Sequence, residues 1–177
     1  MTKLLASRTL TARDLLLAAL GADRLPAMEA GPGGKPRFRD RRDLCFNLSH
    51  SGGLALCGLA GEEIGVDIET IRPRRTLLLK KALSRPEYQW CMDRGGGWEG
   101  FYSLWTLKEA RVKQSGAGLD RPAGTIAVPL LEPGESGVLD GLCFTSYGGE
   151  GWRAALCAPD GTAELKWMEK DPRSSAH

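Results

Sequence analysis

The sequence predicts an α+β protein, and three observations carry that expectation. The chain has 177 residues, enough for one domain or for two small halves around a shared core. After a first helical stretch, strand-like runs lead up to residue 69, helical spacing fills about 75 to 114, and strand-like runs return after it. Finally, Cys45-Phe46 … Ala55-Leu56-Cys57 is echoed by Cys143-Phe144 … Ala155-Leu156-Cys157. Chance similarity of two hairpins and duplicated halves both explain that echo.

The elements follow in order. Apolar residues at helical spacing cover residues 10–20, with Gly21 as the stop. Gly31-Pro32-Gly33-Gly34-Lys35-Pro36 is a turn-rich loop. One short strand ends at Phe46-Asn47 and another runs over residues 54–60, with Ser51-Gly52-Gly53 as the turn between them. Gly61-Glu62-Glu63 turns the chain into a buried strand, Ile64-Gly65-Val66-Asp67-Ile68-Glu69. Helices are expected over residues 75–83, from Ser84 to the Gly95-Gly96-Gly97 loop, and over 98–114. Residues 124–130, 141–146, 152–158 and 163–168 read as strands, and the tail from Lys170 is expected to fray.

A chain of this size buries roughly 68–70% of its unfolded surface, so it needs no disulfide or structural metal to hold a core. No apolar run is long enough to span a membrane. The leucine-rich segment near the start lacks the charged, apolar, small-residue order of a signal peptide, which points to a cytoplasmic protein. Five cysteines, odd in number and without a C-x-x-C pair, read as free thiols in a reducing compartment. Net charge is only +2 but uneven. Lys35, Arg37, Arg39, Arg41 and Arg42 form one basic cluster; Arg72, Arg74, Arg75, Lys80, Lys81 and Arg85 form another without an acid among them. Solvated surface is the ordinary explanation, and a polyanion site or an acidic partner protein the sharper one. No nucleic-acid motif accompanies the charge.

Side chains alternate along a strand, so Asp67 and Glu69 share one face while Val66 and Ile68 take the other. On the helix Trp105-Thr106-Leu107-Lys108-Glu109-Ala110-Arg111-Val112-Lys113, Glu109 and Lys113 lie one turn apart. Three carboxylates are hard oxygen ligands suited to Mg²⁺, and a lysine beside them suits a phosphate oxygen. The bland reading of Glu109 and Lys113 is a helix-surface pair worth about 0.2–0.5 kcal/mol. Ser84-x-x-Glu87 is a capping-box pattern, with a general base as the functional alternative for Glu87. Ser49 and His50 are neighbours on opposite strand faces and cannot simply pair as nucleophile and base. His177 is the only other histidine, so a histidine metal cluster is excluded.

Taken together these segments resemble the 4′-phosphopantetheinyl transferases, specifically the larger Sfp-type branch. Gly34-Lys35-Pro36 is similar to the family's G-K-P loop. Phe46-Asn47-Leu48-Ser49-His50-Ser51 is similar to F-N-x-S-H-S, and Gly65-Val66-Asp67-Ile68-Glu69 to G-[IV]-D-[IV]-E. Residues 105–113 resemble W-[ST]-x-K-E-[AS]-x-x-K, followed by Gly116-x-Gly118-Leu119. The resemblance implies two pseudo-symmetric halves, each a small, mostly antiparallel sheet packed against helices, with the active site in the cleft between them. The halves would be residues 1–64 and 65–177. It also implies a monomer and an N-terminus shortened relative to longer members.

The reaction so implied is transfer of the phosphopantetheine arm of coenzyme A to a serine of an apo acyl or peptidyl carrier protein. Adenosine 3′,5′-bisphosphate would be released. Asp67, Glu69 and Glu109 match the family's Mg²⁺ ligands, and Lys113 the lysine on the pyrophosphate. Ser49 and His50 match residues on the coenzyme A phosphates, with His50 and Lys35 near the adenosine end. Arg8 resembles a helix arginine that binds there too, and Glu87 stands where the family's proposed general base lies. The acidic carrier protein would meet the basic run from Arg72 to Arg85. A carrier- or coenzyme A-binding protein without activity, and a Mg²⁺-dependent phosphohydrolase, are the rival readings; nucleic acid and membrane are not expected partners.

Overall fold

A computed structural model describes residues 1–118 and 121–169. Strand β1 (Lys3–Ser7) leads into helix α1 (Ala12–Leu20), then β2 (Met28–Ala30) and β3 (Pro36–Phe38), with a 3-10 turn at Pro32–Gly34 between them. Next come β4 (Cys45–Ser51), β5 (Leu54–Ala60) and β6 (Gly65–Thr70). Helices α2 (Leu77–Ala82), α3 (Arg85–Asp93) and α4 (Trp98–Ser115) follow, then β7 (Ser136–Leu139), β8 (Leu142–Gly149), β9 (Trp152–Ala158) and β10 (Leu165–Trp167).

Two four-stranded sheets result, ordered β10-β1-β5-β4 and β6-β9-β8-β7. Within them β1-β5-β4 and β6-β9-β8 repeat one arrangement. Cys45 pairs with Ala60 as Cys143 pairs with Ala158, and Phe46 with Leu59 as Phe144 with Cys157. The echo in the sequence therefore falls on equivalent hairpins, turned by Gly52-Gly53 in one and Glu150-Gly151 in the other. The architecture is α+β with two sheet–helix halves. The outer strand of the first sheet, β10, comes from far along the chain and pairs in parallel with β1.

Alternation of side chains divides the interior into three cores. Leu4, Ala6, Leu54 and Leu56 of the first sheet meet Val66, Ile68, Ala154 and Leu156 of the second. On the far face of the first sheet, Phe46, Cys57 and Leu59 pack against Leu15, Leu16 and Ala19 of α1. On the far face of the second, Phe144, Ala155 and Cys157 pack against Leu104, Leu107 and Ala110 of α4. The helices thus lie outside and the sheets face each other.

Local signals explain the helix ends. Thr11 caps α1, its hydroxyl accepting the Asp14 amide, and Gly21 stops the helix at φ 65°. Gly116 ends α4 in the same left-handed conformation, φ 68°. Gly65 is required for another reason: a Cβ there would lie 1.9 Å from the Ala110 carbonyl oxygen, so only glycine lets β6 approach α4 this closely.

Several expectations need correction. The strand expected to end at Phe46-Asn47 continues to Ser51, because its later residues pair with Leu54 to Cys57. Residues 124–130 form no strand. A 3-10 turn at Ala123–Thr125 leads into an extended segment with Ile126 and Val128 buried in alternation. Its carbonyls are taken by cations of α4 in place of a neighbouring strand: Lys108 donates to Ala123 and Ile126, Arg111 to Ala127. Arg8 is not on a helix; it sits in the bend between β1 and α1, with its guanidinium 5.2 Å from the Trp167 ring centre. Strands β1, β2, β3 and β7 have no counterpart in the sequence reading. Leu119 and the tail from Lys170 lie outside the described residues.

Candidate active site

The two sheets meet edge to edge at β4 and β6. Edge strands present unpaired amides, and here side chains answer those of β6. Asn47 Oδ1 accepts the Val66 amide at 2.8 Å, Ser49 Oγ the Ile68 amide at 3.3 Å, and Ser51 Oγ the Thr70 amide at 3.4 Å. The same hydroxyls donate to the carboxylates of β6: Ser49 to Asp67 Oδ1 at 2.8 Å, Ser51 to Glu69 Oε2 at 2.6 Å. His50 points from the opposite face of β4 and is exposed.

From α4, Lys113 Nζ reaches Asp67 Oδ1 at 2.7 Å and Ser49 Oγ at 3.1 Å. The Ser49 hydroxyl is thereby saturated, donating once and accepting twice. Asp67 is 3% exposed, and its second oxygen, Oδ2, is buried without a partner. Burial raises the Asp67 pKa above its ordinary value, opposed by Lys113 and Ser49. Burial also raises Glu109, and the charges of Asp67 and Glu69 push it further the same way. The three carboxylates therefore sense one another across the β6–α4 interface. Lys113 stands among them, and among the described residues no three His, Cys, Asp or Glu groups are gathered tightly enough to ligate one ion. An unpartnered buried carboxylate oxygen beside two further carboxylates is nevertheless a donor set that fits a hard divalent cation.

Beside this cluster lies a cavity of about 230 Å³, lined by Gly33, Gly34, Lys35 and Pro36 together with Asn47, Val112, Lys113 and Gly116. The tertiary fold thus brings the G-K-P loop, the serine-bearing strand and the end of α4 to one place. A larger cavity of about 400 Å³, lined by Ala60, Glu62, Asp160 and Glu164 among others, includes neither Lys35 nor Lys113, whereas the smaller one includes both and reaches Asp67 through Lys113. The chemistry belongs to the smaller one.

Lys35 is held on the cavity wall by Glu63 Oε2 at 2.5 Å, by the Ile64 carbonyl at 2.8 Å and by the Gln114 carbonyl at 3.3 Å. It therefore ties the loop to the last turn of α4, where free carbonyls favour a cation. Gly33, at φ 64°, makes the same contact from the backbone: a Cβ there would lie 1.6 Å from the Gly116 carbonyl oxygen. Gly33→Ala combines left-handed strain of about 1–2 kcal/mol with that clash, so Tm is expected to fall by at least about 3 °C in a melting experiment.

Glu87 lies elsewhere. It is buried, its Oε2 accepts the Ser84 amide at 2.6 Å, and its Oε1 pairs with Lys108 Nζ at 2.8 Å. Lys108 is the residue that sequence reasoning missed, although it stands next to Glu109 in the K-E pair of the motif. Arg8, stacked on Trp167, shares no hydrogen bond with the carboxylate cluster.

The fold has two like halves, with acidic and basic groups facing one cleft at their seam, and the sequence matches a family model. That of the 4′-phosphopantetheinyl transferase superfamily covers residues 63–156, more than half of the chain, and the protein belongs to this superfamily. Among individual relatives it is 33% identical over 133 residues to 4′-phosphopantetheinyl transferase Sfp of Bacillus subtilis (strain 168), covering 71% of this chain and 59% of Sfp. It is 41% identical over 120 residues to 4′-phosphopantetheinyl transferase AcpT of Salmonella typhimurium, covering 60% of this chain and 57% of AcpT. The chain spans just under three fifths of the length of these relatives.

Proposed function

We propose that this protein transfers the 4′-phosphopantetheine arm of coenzyme A to a serine hydroxyl of an apo carrier protein, releasing adenosine 3′,5′-bisphosphate. The observation that carries this reading is the convergence of Asp67, Glu69, Glu109 and Lys113 beside the cavity under the G-K-P loop. Asp67, Glu69 and Glu109 would hold Mg²⁺, which when bound neutralises pyrophosphate charge and stabilises the departing bisphosphate. Lys113, which lines the cavity, would place its ammonium on a phosphate oxygen. Lys35 and the backbone of Gly33 and Gly34 would wall the adenosine end, with His50 and Arg8 as outlying phosphate contacts. Positioning and electrostatics supply most of the rate in such a reaction, which suits a site rich in charge and held on strands.

Two roles compete for Glu87. As a general base it would take the serine proton; as cap and partner of Lys108 it would hold α3 and the 123–127 segment against α4. Its burial and its two engaged oxygens support the second role.

For docking, Arg72, Arg74 and Arg75 are exposed and lead into α2, whose Leu77 is 57% and Leu78 37% exposed. A basic surface with an apolar centre is complementary to an acidic carrier protein. The cleft is assembled within one chain, which supports a monomer. Five free cysteines support the cytoplasm, and no helix among the described residues is long and apolar enough to cross a membrane.

The decisive experiment incubates the chain with Mg²⁺, coenzyme A and apo carrier proteins, and weighs the carriers. A gain equal to the phosphopantetheine arm is expected, with a rate that falls as salt is raised. No gain with several carriers from a folded chain overturns the reading. Adenosine bisphosphate released without any carrier would favour the hydrolase instead.

A further inference from the structure

The seam between β4 and β6 repeats one unit. In each unit a β4 hydroxyl accepts the amide of one β6 residue and donates its proton to the carboxylate of the residue before. Ser49 bridges Ile68 and Asp67, and Ser51 bridges Thr70 and Glu69. Asn47 ends the series, with its carbonyl oxygen on the Val66 amide.

This geometry dictates the direction of each bond. An amide can only donate, so it claims a lone pair of the serine oxygen and leaves the hydroxyl proton for the carboxylate. The serines therefore hold the two carboxylates in fixed side-chain rotamers on one face of the strand. They also replace the carbonyls that a paired strand would offer, which keeps β4 one side chain away from β6 and leaves the seam open. Ser49 is already committed to Lys113 as well. Among the described residues the Ser51 hydroxyl hydrogen-bonds to the Glu69 carboxylate and the Thr70 amide, and nothing in the proposed chemistry uses it directly.

We propose that the Asn47–Ser49–Ser51 ladder is the device that sets the carboxylates for cation binding, and that Ser51 is a positioning residue for Glu69. The inference rests on the proposed role of Asp67, Glu69 and Glu109 as cation ligands. Outer partners that orient metal-binding carboxylates typically govern affinity by about 10–100-fold. Ser51 is half-buried rather than in the core, and a strand accepts threonine there readily, so the hydroxyl can be removed or kept at will.

The test measures Mn²⁺ binding to the full chain by electron paramagnetic resonance, with coenzyme A present and no carrier protein, alongside Tm. Ser51→Ala is expected to weaken Mn²⁺ about tenfold while Tm moves by no more than a few degrees. Ser51→Thr, which restores the hydroxyl, is expected to return affinity to within about threefold of the parent chain. Unchanged affinity in Ser51→Ala overturns the positioning role and leaves the cation site standing. A matched loss of affinity and Tm in both variants also overturns it, because the seam would then be only structural. If the parent chain itself binds no Mn²⁺, the cation site fails and the ladder's role falls with it.

Discussion

Asp67→Asn is expected to abolish transfer to a carrier protein, by at least about a hundredfold, while the metal-free chain stays as stable or becomes more so. The two halves of this result have one cause. Asp67 is nearly enclosed and one of its oxygens has no partner, so its ionised form is costly in the absence of a cation. Its folded pKa lies above the unfolded value of about 3.9. The stability this group contributes is therefore fully present below that value and is lost as pH rises through the folded pKa. Glu109 is shifted in the same direction and adds to the effect. At neutral pH the amide avoids the cost, keeps an oxygen for Lys113 and Ser49, and removes the anionic ligand. Each ~1 kcal/mol regained would raise Tm by about 2–4 °C. The check is a carrier mass assay beside melting curves of metal-free protein from pH 4 to 7. A large fall in Tm for Asp67→Asn would show that the carboxylate is structural.

Lys108→Ala is expected to give the largest loss of stability, about 3–5 kcal/mol, or a fall in Tm of roughly 10 °C. The ammonium is buried, and three groups depend on it: Glu87 Oε1 at 2.8 Å, the Ala123 carbonyl at 3.0 Å and the Ile126 carbonyl at 2.6 Å. Removing it leaves a buried carboxylate without a counter-charge and takes a donor from both carbonyls, of which Ala123 keeps the Ile126 amide at 3.1 Å. Burial lowers the pKa of Lys108 itself, and its hydrogen bond and charge pairing with Glu87 oppose that shift. Glu87→Gln is the informative companion. With its oxygen on the Ser84 amide, the glutamine still caps α3 but turns its NH2 toward Lys108, so the charge and the acceptor for Lys108 are lost together. Turnover that falls far more than Tm, with coenzyme A binding intact, would mark Glu87 as the base. A fall in Tm with turnover reduced only in proportion would mark it as the holder of Lys108 and the cap of α3.

These two residues also show where local reading succeeds and where it fails. Asp67 and Glu69 were legible because strand alternation puts two charges on one face of an apolar run, a pattern no solvated surface requires. Helix α4 was legible from residue 98 to 114 because long periodic segments carry their signal in many residues at once. Lys108 was not legible: buried lysines are rare, and nothing local distinguishes it from a surface lysine until residues 123–127 fold over it. The same folding defeated the strand expected at 124–130, whose alternating burial is real but whose carbonyls face side chains.

Ser49 and Ser51 give the sharpest contrast. Their motif marked them by resemblance, yet only the apposition of β4 and β6 reveals that their hydroxyls stitch two sheets and orient two carboxylates. The sequence by itself determined the mixture of strands and helices, the echo between hairpins and the types of residue that could meet a phosphate. Those follow from neighbours along the chain, where periodicity and turn chemistry act. Tertiary structure alone decided which edge strands adjoin, which cations are buried and which carboxylate oxygen goes without a partner. These are properties of groups far apart in sequence, and their energies arise only once burial has removed the water that would otherwise satisfy each of them.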